Sequence, residues 1–166
     1  MITNNNFIKE YSKNDELKTF CEQTWGDYIR KLDKSIISYL LSIQSHGLTQ
    51  GYWFDDDKVI GIYHEELPKF PPVPFDILVY RGGDMKIPER PFLSASFYKK
   101  TALERFADNK KSRLHKVIIK KGSHIVPSLY LWYPGSFNEQ EVVLDVSCLH
   151  RRFGYYDYFK KKTKHS

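Results

Sequence analysis

Residue types that can do chemistry occur in three short segments, which follow one another along the chain. The segments are Tyr80-Arg81-Gly82-Gly83, Phe92-Leu93-Ser94-Ala95-Ser96-Phe97 and Glu139-Gln140-Glu141-Val142-Val143-Leu144. A planar guanidinium is suited to bind phosphate oxygens through two parallel hydrogen bonds. A carboxylate can stabilise positive charge that develops on a sugar ring during bond cleavage. Each segment alone is a weak signal, because Glu-x-Glu, for example, is common on solvated edge strands. The prediction of a site therefore depends on the combination.

Together the three segments resemble the arginine, serine and glutamate signature of the clostridial-toxin-like mono-ADP-ribosyltransferases, in that family's order. The resemblance covers about residues 33–149, and it is most specific in VYRG, FLSAS and EQEVVL. VIIKKGSHIV followed by YPGSFNEQE resembles the family's approach to the glutamates. The family's middle motif usually reads Ser-Thr-Ser or Ser-Thr-Thr, whereas Ala95 takes the central position here. Since a central strand residue points away from its two neighbours, we expect this departure to be tolerated.

The resemblance implies that the chain uses NAD⁺ as a co-substrate and transfers ADP-ribose from it to a protein. Glu141 would accept a hydrogen bond from the ribose 2′-hydroxyl, and this bond strengthens as the oxocarbenium-like transition state develops. Strand geometry projects Glu139 and Glu141 to the same face, about 6–7 Å apart. In the family an acidic residue at the first position marks transfer to arginine. Glu139 therefore implies an arginine side chain of a target protein as acceptor, which it would orient and deprotonate.

The same resemblance assigns four residues to NAD⁺ binding. Arg81 would hold the pyrophosphate, a task for which a guanidinium is well suited. Ser94 would hydrogen-bond the nicotinamide-side ribose and position Glu141, and Ser96 would support this arrangement from the same strand face. Gly82 has no side chain and would let backbone amides approach the nicotinamide carboxamide.

Aromatic residues near the three segments are candidates for two further contacts. We expect one ring to stack on the nicotinamide, and Phe97 or Tyr98 is the candidate. The segment YLWYPGSFN before Glu139 would face the acceptor protein, with Tyr133 and Phe137 as contacts. For the latter two residues an ordinary core position is an equal alternative.

The remaining motifs favour no metal and no other cofactor. The six histidines form no HExxH pattern, and GxGxxG, GxSxG and Walker patterns are absent. Cys21 and Cys148 lie far apart in sequence without a CxxC pair, so reduced, buried thiols are expected.

The elements that must position these residues change type at the proline cluster 71–74. Apolar residues at steps of three to five predict mainly helices over 1–70, with Ser12 and Asp15 as a capping box. The region 75–159 reads mainly as strands, with one helix at 101–109, and 160–166 is a basic tail. The predicted strands are 75–81, 91–97, 115–121, 123–129 and 139–149, with a final strand before the tail.

Helices followed by strands favour a single α+β domain over 1–166. The resemblance implies N-terminal helices packed on two roughly perpendicular antiparallel β-sheets, with NAD⁺ in the cleft between them.

The net charge of +6 is concentrated in two basic blocks, +7 over 99–121 and +5 over 150–166. One rival hypothesis is therefore a non-catalytic module that binds nucleic acid or an acidic partner. An intermediate possibility is ADP-ribosylation of a nucleic acid, which Glu139 makes less favoured, because members of the resembled family that modify bases tend to carry Gln at this position. The other rival is an NAD⁺ glycohydrolase, with water as the acceptor. No apolar run of about 18 residues and no signal-peptide pattern occur. We therefore expect a cytoplasmic protein, or one delivered into a host cell, without a membrane partner.

Overall fold

The computed structural model describes residues 8–45, 57–83, 85, 91–131 and 141–160. Its helical part follows a short strand, β1 (Ile8–Glu10), and comprises four helices. These are α1 (Asp15–Phe20), α2 (Gly26–Arg30), α3 (Lys34–Ser45) and α4 (Asp57–Glu66). A π-helical segment, Cys21–Trp25, joins α1 to α2, and 3-10 turns occupy Tyr11–Lys13 and Leu67–Lys69. The prediction of helices in this region is confirmed for the described residues, whereas no sequence pattern predicts β1.

The helical run from α1 to α2 buries one residue in every turn. Leu17, Cys21, Trp25 and Ile29 recur at intervals of four and are all buried. The predicted capping box at Ser12 and Asp15 is wrong, because the cap is Asn14, whose Oδ1 accepts a hydrogen bond from the Leu17 N–H at 2.8 Å. Asparagine is a preferred N-cap because its side-chain oxygen satisfies an amide that the first turn leaves without a partner.

The described residues after 75 supply the other six strands and a short helix. The strands are β2 (Asp76–Gly82), β3 (Phe92–Ser96), β4 (Leu114–Ile119), β5 (Glu141–Asp145), β6 (Leu149–Arg151) and β7 (Tyr156–Tyr158). Helix α5 (Lys99–Thr101) continues into a π-helical segment, Ala102–Phe106, in the predicted position, and 3-10 turns occupy Lys111–Arg113, Ser128–Tyr130 and Val146–Cys148. The predicted α+β class is therefore confirmed. No helix in the described part of the chain is long and apolar enough to cross a membrane.

The strands of the described ranges are hydrogen-bonded into one sheet with the order β5-β3-β2-β4-β7-β6, and β1 also pairs with β2. The predicted antiparallel pairing holds for β2–β3, β2–β4, β3–β5 and β6–β7 but is wrong for β1–β2 and β4–β7, which are parallel. Long connections separate the members of both pairs along the chain, as parallel neighbours require. The predicted division into two perpendicular sheets stays a prediction. Within the sheet, β3 meets β2 at a single register pair, Tyr80 and Ser96.

The segment 123–129 does not form the predicted strand. It contributes an isolated bridge between Val126 and Val143 and then turns into the 3-10 segment Ser128–Tyr130. Pro127 has no N–H to donate to a ladder, which explains why the pairing ends there. The predicted strand 139–149 likewise ends at Asp145, whose side chain caps the next 3-10 turn by accepting from the Ser147 N–H.

Two apolar clusters lie on opposite faces of the β3–β5 pair. The inner cluster contains residues of all the longer strands and of the α1–α2 run, among them Trp25, Ile77, Val79, Ala95, Phe97, Val117, Val142 and Leu144. The helix cluster joins β3 and β5 to α2, α3 and α4 and contains Ile29, Leu40, Val59, Tyr63, Leu67, Phe70, Phe92, Val126, Leu131 and Val143. The alternation of side chains along both strands explains why neighbours in sequence belong to different clusters.

Candidate active site

Strand register brings the predicted arginine, serines and glutamate into one region of the sheet. Ser96 on β3 lies opposite Tyr80 on β2 and opposite Glu141 on β5. Directly opposite residues of an antiparallel pair have Cβ atoms about 4.5–5.5 Å apart. Arg81, which follows Tyr80, and Glu141 therefore both neighbour the same end of β3.

Arg81 is held against β3 by a hydrogen bond. Its Nη1 donates to the main-chain carbonyl oxygen of Ser94 at 3.0 Å, and the side chain is half-buried. This bond fixes the guanidinium beside the serine segment. Sequence reasoning does not predict it, because the resemblance assigns Ser94 a role through its hydroxyl and not through its carbonyl.

The two serines and Glu141 are buried polar residues on one sheet face. Their relative exposures are 3% for Ser94, 1% for Ser96 and 3% for Glu141. Ser94 pairs in register with Val143, a member of the helix cluster, so this polar face looks towards α2, α3 and α4. Burial of hydroxyls and a carboxylate opposes folding unless these groups are well bonded, which makes such a face unusual.

Ser96 shapes the chain immediately after β3. Its Oγ accepts a hydrogen bond from the backbone N–H of Tyr98 at 3.1 Å. A serine hydroxyl that bonds the amide two residues on stabilises a turn. Ser96 therefore has a local structural role as well as its place opposite Glu141.

Tyr63 of α4 lies within electrostatic reach of Glu141. Burial, and next the negative charge of Glu141, raise the pKa of Tyr63 well above its ordinary value. The Tyr63 hydroxyl donates to the carbonyl oxygen of Leu40 in α3, which fixes the ring between the two helices. No sequence signal points to this contact, because Tyr63 belongs to an apolar helical stripe that reads as core.

Close packing explains why residue 82 is a glycine, and the sequence does not suggest this reason. A Cβ atom at this position would lie 2.2 Å from the Ala102 carbonyl oxygen and 2.7 Å from Cβ of Phe106. Since the helical segment after β3 packs directly on the end of β2, only glycine fits there. The predicted approach of backbone amides to a nicotinamide stays a prediction for Gly82.

Phe97 packs in the inner cluster. Its side chain is fully buried, with ring centroids 5.1 Å from Tyr11 and 6.4 Å from Trp25. The ring therefore lies on the face of β3 opposite Ser94 and Ser96. Stacking on a nicotinamide, as the sequence suggests, would require it to leave this cluster. The alternative candidate, Tyr98, is half-buried and contacts Tyr11 edge to face at 5.7 Å.

Three predicted residues, Glu139, Tyr133 and Phe137, lie outside the described residues, as do residues 161–166 of the predicted tail 160–166. Their roles stay predictions. Glu139, Tyr133 and Phe137 precede strand β5, which begins at Glu141.

Two further kinds of group bear on the chemistry of the described ranges, namely possible metal ligands and cysteine thiols. No group of three or more His, Cys, Asp or Glu residues among them could hold a metal ion. Both cysteines are free thiols; Cys21 is buried and Cys148 is half-buried. Burial raises the pKa of the Cys21 thiol to about 12, so this residue is a poor nucleophile.

No protein-family model and no curated protein matches the sequence. Among the solved structures that are similar to this chain are two bacterial ADP-ribosyltransferases. The first is Plx2a, an ADP-ribosyltransferase toxin from Paenibacillus larvae, with a TM-score of 0.58 and 16% identity over 79% of this chain and 82% of the toxin chain. The second is an ADP-ribosyltransferase from Clostridium botulinum, with a TM-score of 0.54 and 15% identity over 92% of this chain and 99% of the clostridial chain. At such identities the similarity is one of fold, and this chain has the fold of these two ADP-ribosyltransferases.

Proposed function

We propose that this protein is a mono-ADP-ribosyltransferase that cleaves NAD⁺ and transfers the ADP-ribose to an arginine side chain of a target protein. One observation carries the proposal. Strand register sets Ser96 opposite Glu141, and a hydrogen bond from Arg81 Nη1 to the Ser94 carbonyl holds the guanidinium against the same strand. The fold shared with two ADP-ribosyltransferases supports the same reaction.

Arg81 would bind the pyrophosphate of NAD⁺. A guanidinium carries five N–H donors in a fixed plane. The bond from Nη1 to the Ser94 carbonyl is therefore compatible with further bonds from the same group to phosphate oxygens. Because this bond orients the plane before the substrate arrives, less side-chain entropy is lost on binding.

Glu141 would act on the bond between the nicotinamide nitrogen and C1′ of the ribose. When this bond breaks, its electron pair leaves with neutral nicotinamide and positive charge develops on the ribose. A buried carboxylate that accepts a hydrogen bond from the 2′-hydroxyl stabilises this charge more than it stabilises the substrate. Ser94 and Ser96, on the same face, would hold the ribose and the carboxylate in register.

The acceptor step rests on Glu139, two residues before β5. A guanidinium nitrogen of the target arginine would attack C1′ and form the new N–C bond. Glu139 would orient this guanidinium and take the proton that the nitrogen loses. An aromatic residue of the preceding segment, Tyr133 or Phe137, would contact the target protein.

The decisive experiment measures both halves of the reaction. Wild-type protein is incubated with labelled NAD⁺ and a cell lysate, free ADP-ribose is quantified, and modified residues are located by mass spectrometry. We expect label on arginine. We expect Glu141→Gln to lower both NAD⁺ cleavage and transfer about 100-fold or more. Glu104→Gln, an exposed glutamate of the segment after β3, is the matched control and should keep full activity.

A second variant separates transfer from hydrolysis. Glu139→Ala should still release free ADP-ribose from NAD⁺ but should modify no protein. Free ADP-ribose as the only product of the wild type, whatever acceptor is supplied, would establish the glycohydrolase instead. Full activity of the Glu141→Gln protein would refute the proposed mechanism.

A further inference from the structure

A large groove lies on the sheet surface formed by β1, β2, β4 and the β6–β7 turn, and none of the proposed catalytic residues lines it. Its volume is about 950 Å³. The floor is aliphatic and half-buried, formed by Ile8, Leu78 and Ile118. Leu78 and Ile118 are register partners on β2 and β4, and Ile118 in turn pairs with Asp157 of β7. We call this feature the outer groove.

Its charged side chains leave the outer groove with excess positive charge. Asp76 accepts from Lys120 Nζ at 3.1 Å and from the Lys121 N–H at 2.8 Å, and Asp157 accepts from Arg152 Nε at 2.9 Å. Both carboxylates are thus bonded to cations or amides of this chain. Lys116 and Lys121 are exposed at the groove and have no carboxylate partner among the described residues. A ligand with negative charge would complement them.

The outer groove also joins the two basic blocks of the sequence. Lys116 and Lys121 come from the block 99–121, while Phe153 and Tyr155 come from the block 150–166. Phe153 is a fully exposed large apolar residue beside Gly154, in the turn between β6 and β7. An aromatic side chain exposed at the rim of a groove is typical of residues that contact a partner.

We propose that the outer groove binds an acidic amphipathic segment of the target protein, apart from the site where the acceptor arginine reacts. The aliphatic floor would take apolar side chains of this segment, and Lys116 and Lys121 would pair with its carboxylates. A single-stranded nucleic acid fits less well, because bases stack on aromatic faces, whereas the floor of the groove is aliphatic and its aromatic residues include Phe153 at the rim. As a statement about the target protein, this inference rests on the proposed function.

Peptide binding tests the outer groove without depending on catalysis. The probe is a labelled 18-residue peptide with Leu and Phe on one helical face and Glu on the other, and binding to the full chain is followed by fluorescence anisotropy. We expect Lys116→Glu/Lys121→Glu to weaken binding about tenfold or more, since two close charge pairs become repulsions. Lys110→Glu/Lys111→Glu makes the same charge change in the same basic block but outside the groove, and should weaken binding less than twofold. Phe153→Ala should also weaken binding.

Several outcomes would overturn the inference: no binding of the Glu peptide to wild type, equal binding of the same peptide with Lys in place of Glu, or an equal effect of the two double variants. Tighter binding of a 20-nucleotide oligothymidine would assign the groove to nucleic acid instead. A parallel assay of NAD⁺ cleavage without acceptor should give the same rate for wild type and Lys116→Glu/Lys121→Glu. If wild type cleaves no NAD⁺, the proposed function fails while the peptide result still decides whether the groove binds acidic segments.

Discussion

The two faces of the β3–β5 pair are buried alike but differ in chemistry. On the face of the inner cluster, Ala95, Val142 and Leu144 are apolar and almost completely buried. On the opposite face, Ser94, Ser96 and Glu141 are buried to the same degree although they carry hydroxyls and a carboxylate. Stability alone favours apolar residues at buried positions, because a polar group loses its hydration there. The difference indicates that the inner face serves packing alone, while the opposite face, which also packs through Phe92 and Val143, keeps polar groups in a dry environment where their electrostatic effect is large.

The largest effect on stability is expected from removing a buried ring of the inner cluster. Phe97→Ala should lower the free energy of unfolding by about 3–5 kcal/mol, because it removes a fully buried ring and leaves a cavity. Phe97→Leu, which keeps most of the apolar volume, should lower it by clearly less. Urea unfolding followed by fluorescence measures both. If Phe97→Ala unfolds like wild type but has a raised KM for NAD⁺, the ring stacks on nicotinamide as the sequence suggests.

The next largest effect on stability is expected at Gly82, a closely packed glycine. Gly82→Ala should destabilise the protein by about 1–3 kcal/mol or more, because the new Cβ would overlap backbone that cannot yield easily. Gly61→Ala is the matched control: its Cβ would meet nothing within 4 Å in α4. That variant should gain about 0.5–1 kcal/mol, since alanine favours a helix interior over glycine. Equal shifts of the two midpoints in thermal unfolding would contradict the close packing of Gly82.

Substitutions at two adjacent residues of β5 compare most directly how much each face contributes to stability. Val142→Ala removes buried methyl groups from the inner face and should lower the free energy of unfolding by about 2 kcal/mol. Glu141→Gln keeps the shape of the side chain but removes its charge from a dry site. We expect its stability to stay within about 1 kcal/mol of wild type or to rise. A large loss of stability in Glu141→Gln would mean that this carboxylate has mainly a structural role.

The sequence predicts the elements whose causes are local, and it misses those that depend on contacts with distant segments. The strands that carry Arg81, Ser94 and Glu141 lie where the sequence predicts them, because short β-branched and aromatic runs bounded by turn residues are local signals. Strand β1 escapes prediction, since three residues whose pairing depends on β2 carry almost no pattern of their own. The predicted strand at 123–129 is wrong because Pro127 outweighs the β-propensity around it.

Contacts at the candidate site are harder to predict than its strands. The hydrogen bond from Arg81 to the Ser94 carbonyl and the electrostatic interaction of Glu141 with Tyr63 depend on how distant segments pack, which no local pattern records. Gly82 is a case in which the sequence identifies the position but not its structural cause. The sequence singles out its position, but the reason that the structure provides is the approach of the Ala102–Phe106 segment.

The smallest effect is expected at the boundary between the polar face and the helix cluster. Tyr63→Phe removes the hydrogen bond to the Leu40 carbonyl and should lower the free energy of unfolding by about 1 kcal/mol, the net worth of a typical buried bond. Tyr28→Phe is the control, because the half-buried Tyr28 packs on Phe70 at 4.9 Å and donates no hydrogen bond to another described residue. Its stability should change by less than about 0.5 kcal/mol. Because the charge of Glu141 acts on Tyr63, loss of the Tyr63 hydroxyl should alter kcat for NAD⁺ cleavage, whereas the Tyr28 variant should not. A Tyr63→Phe enzyme that loses stability but keeps its kcat would show that the ring only braces α3 against α4 and plays no part in positioning the carboxylate.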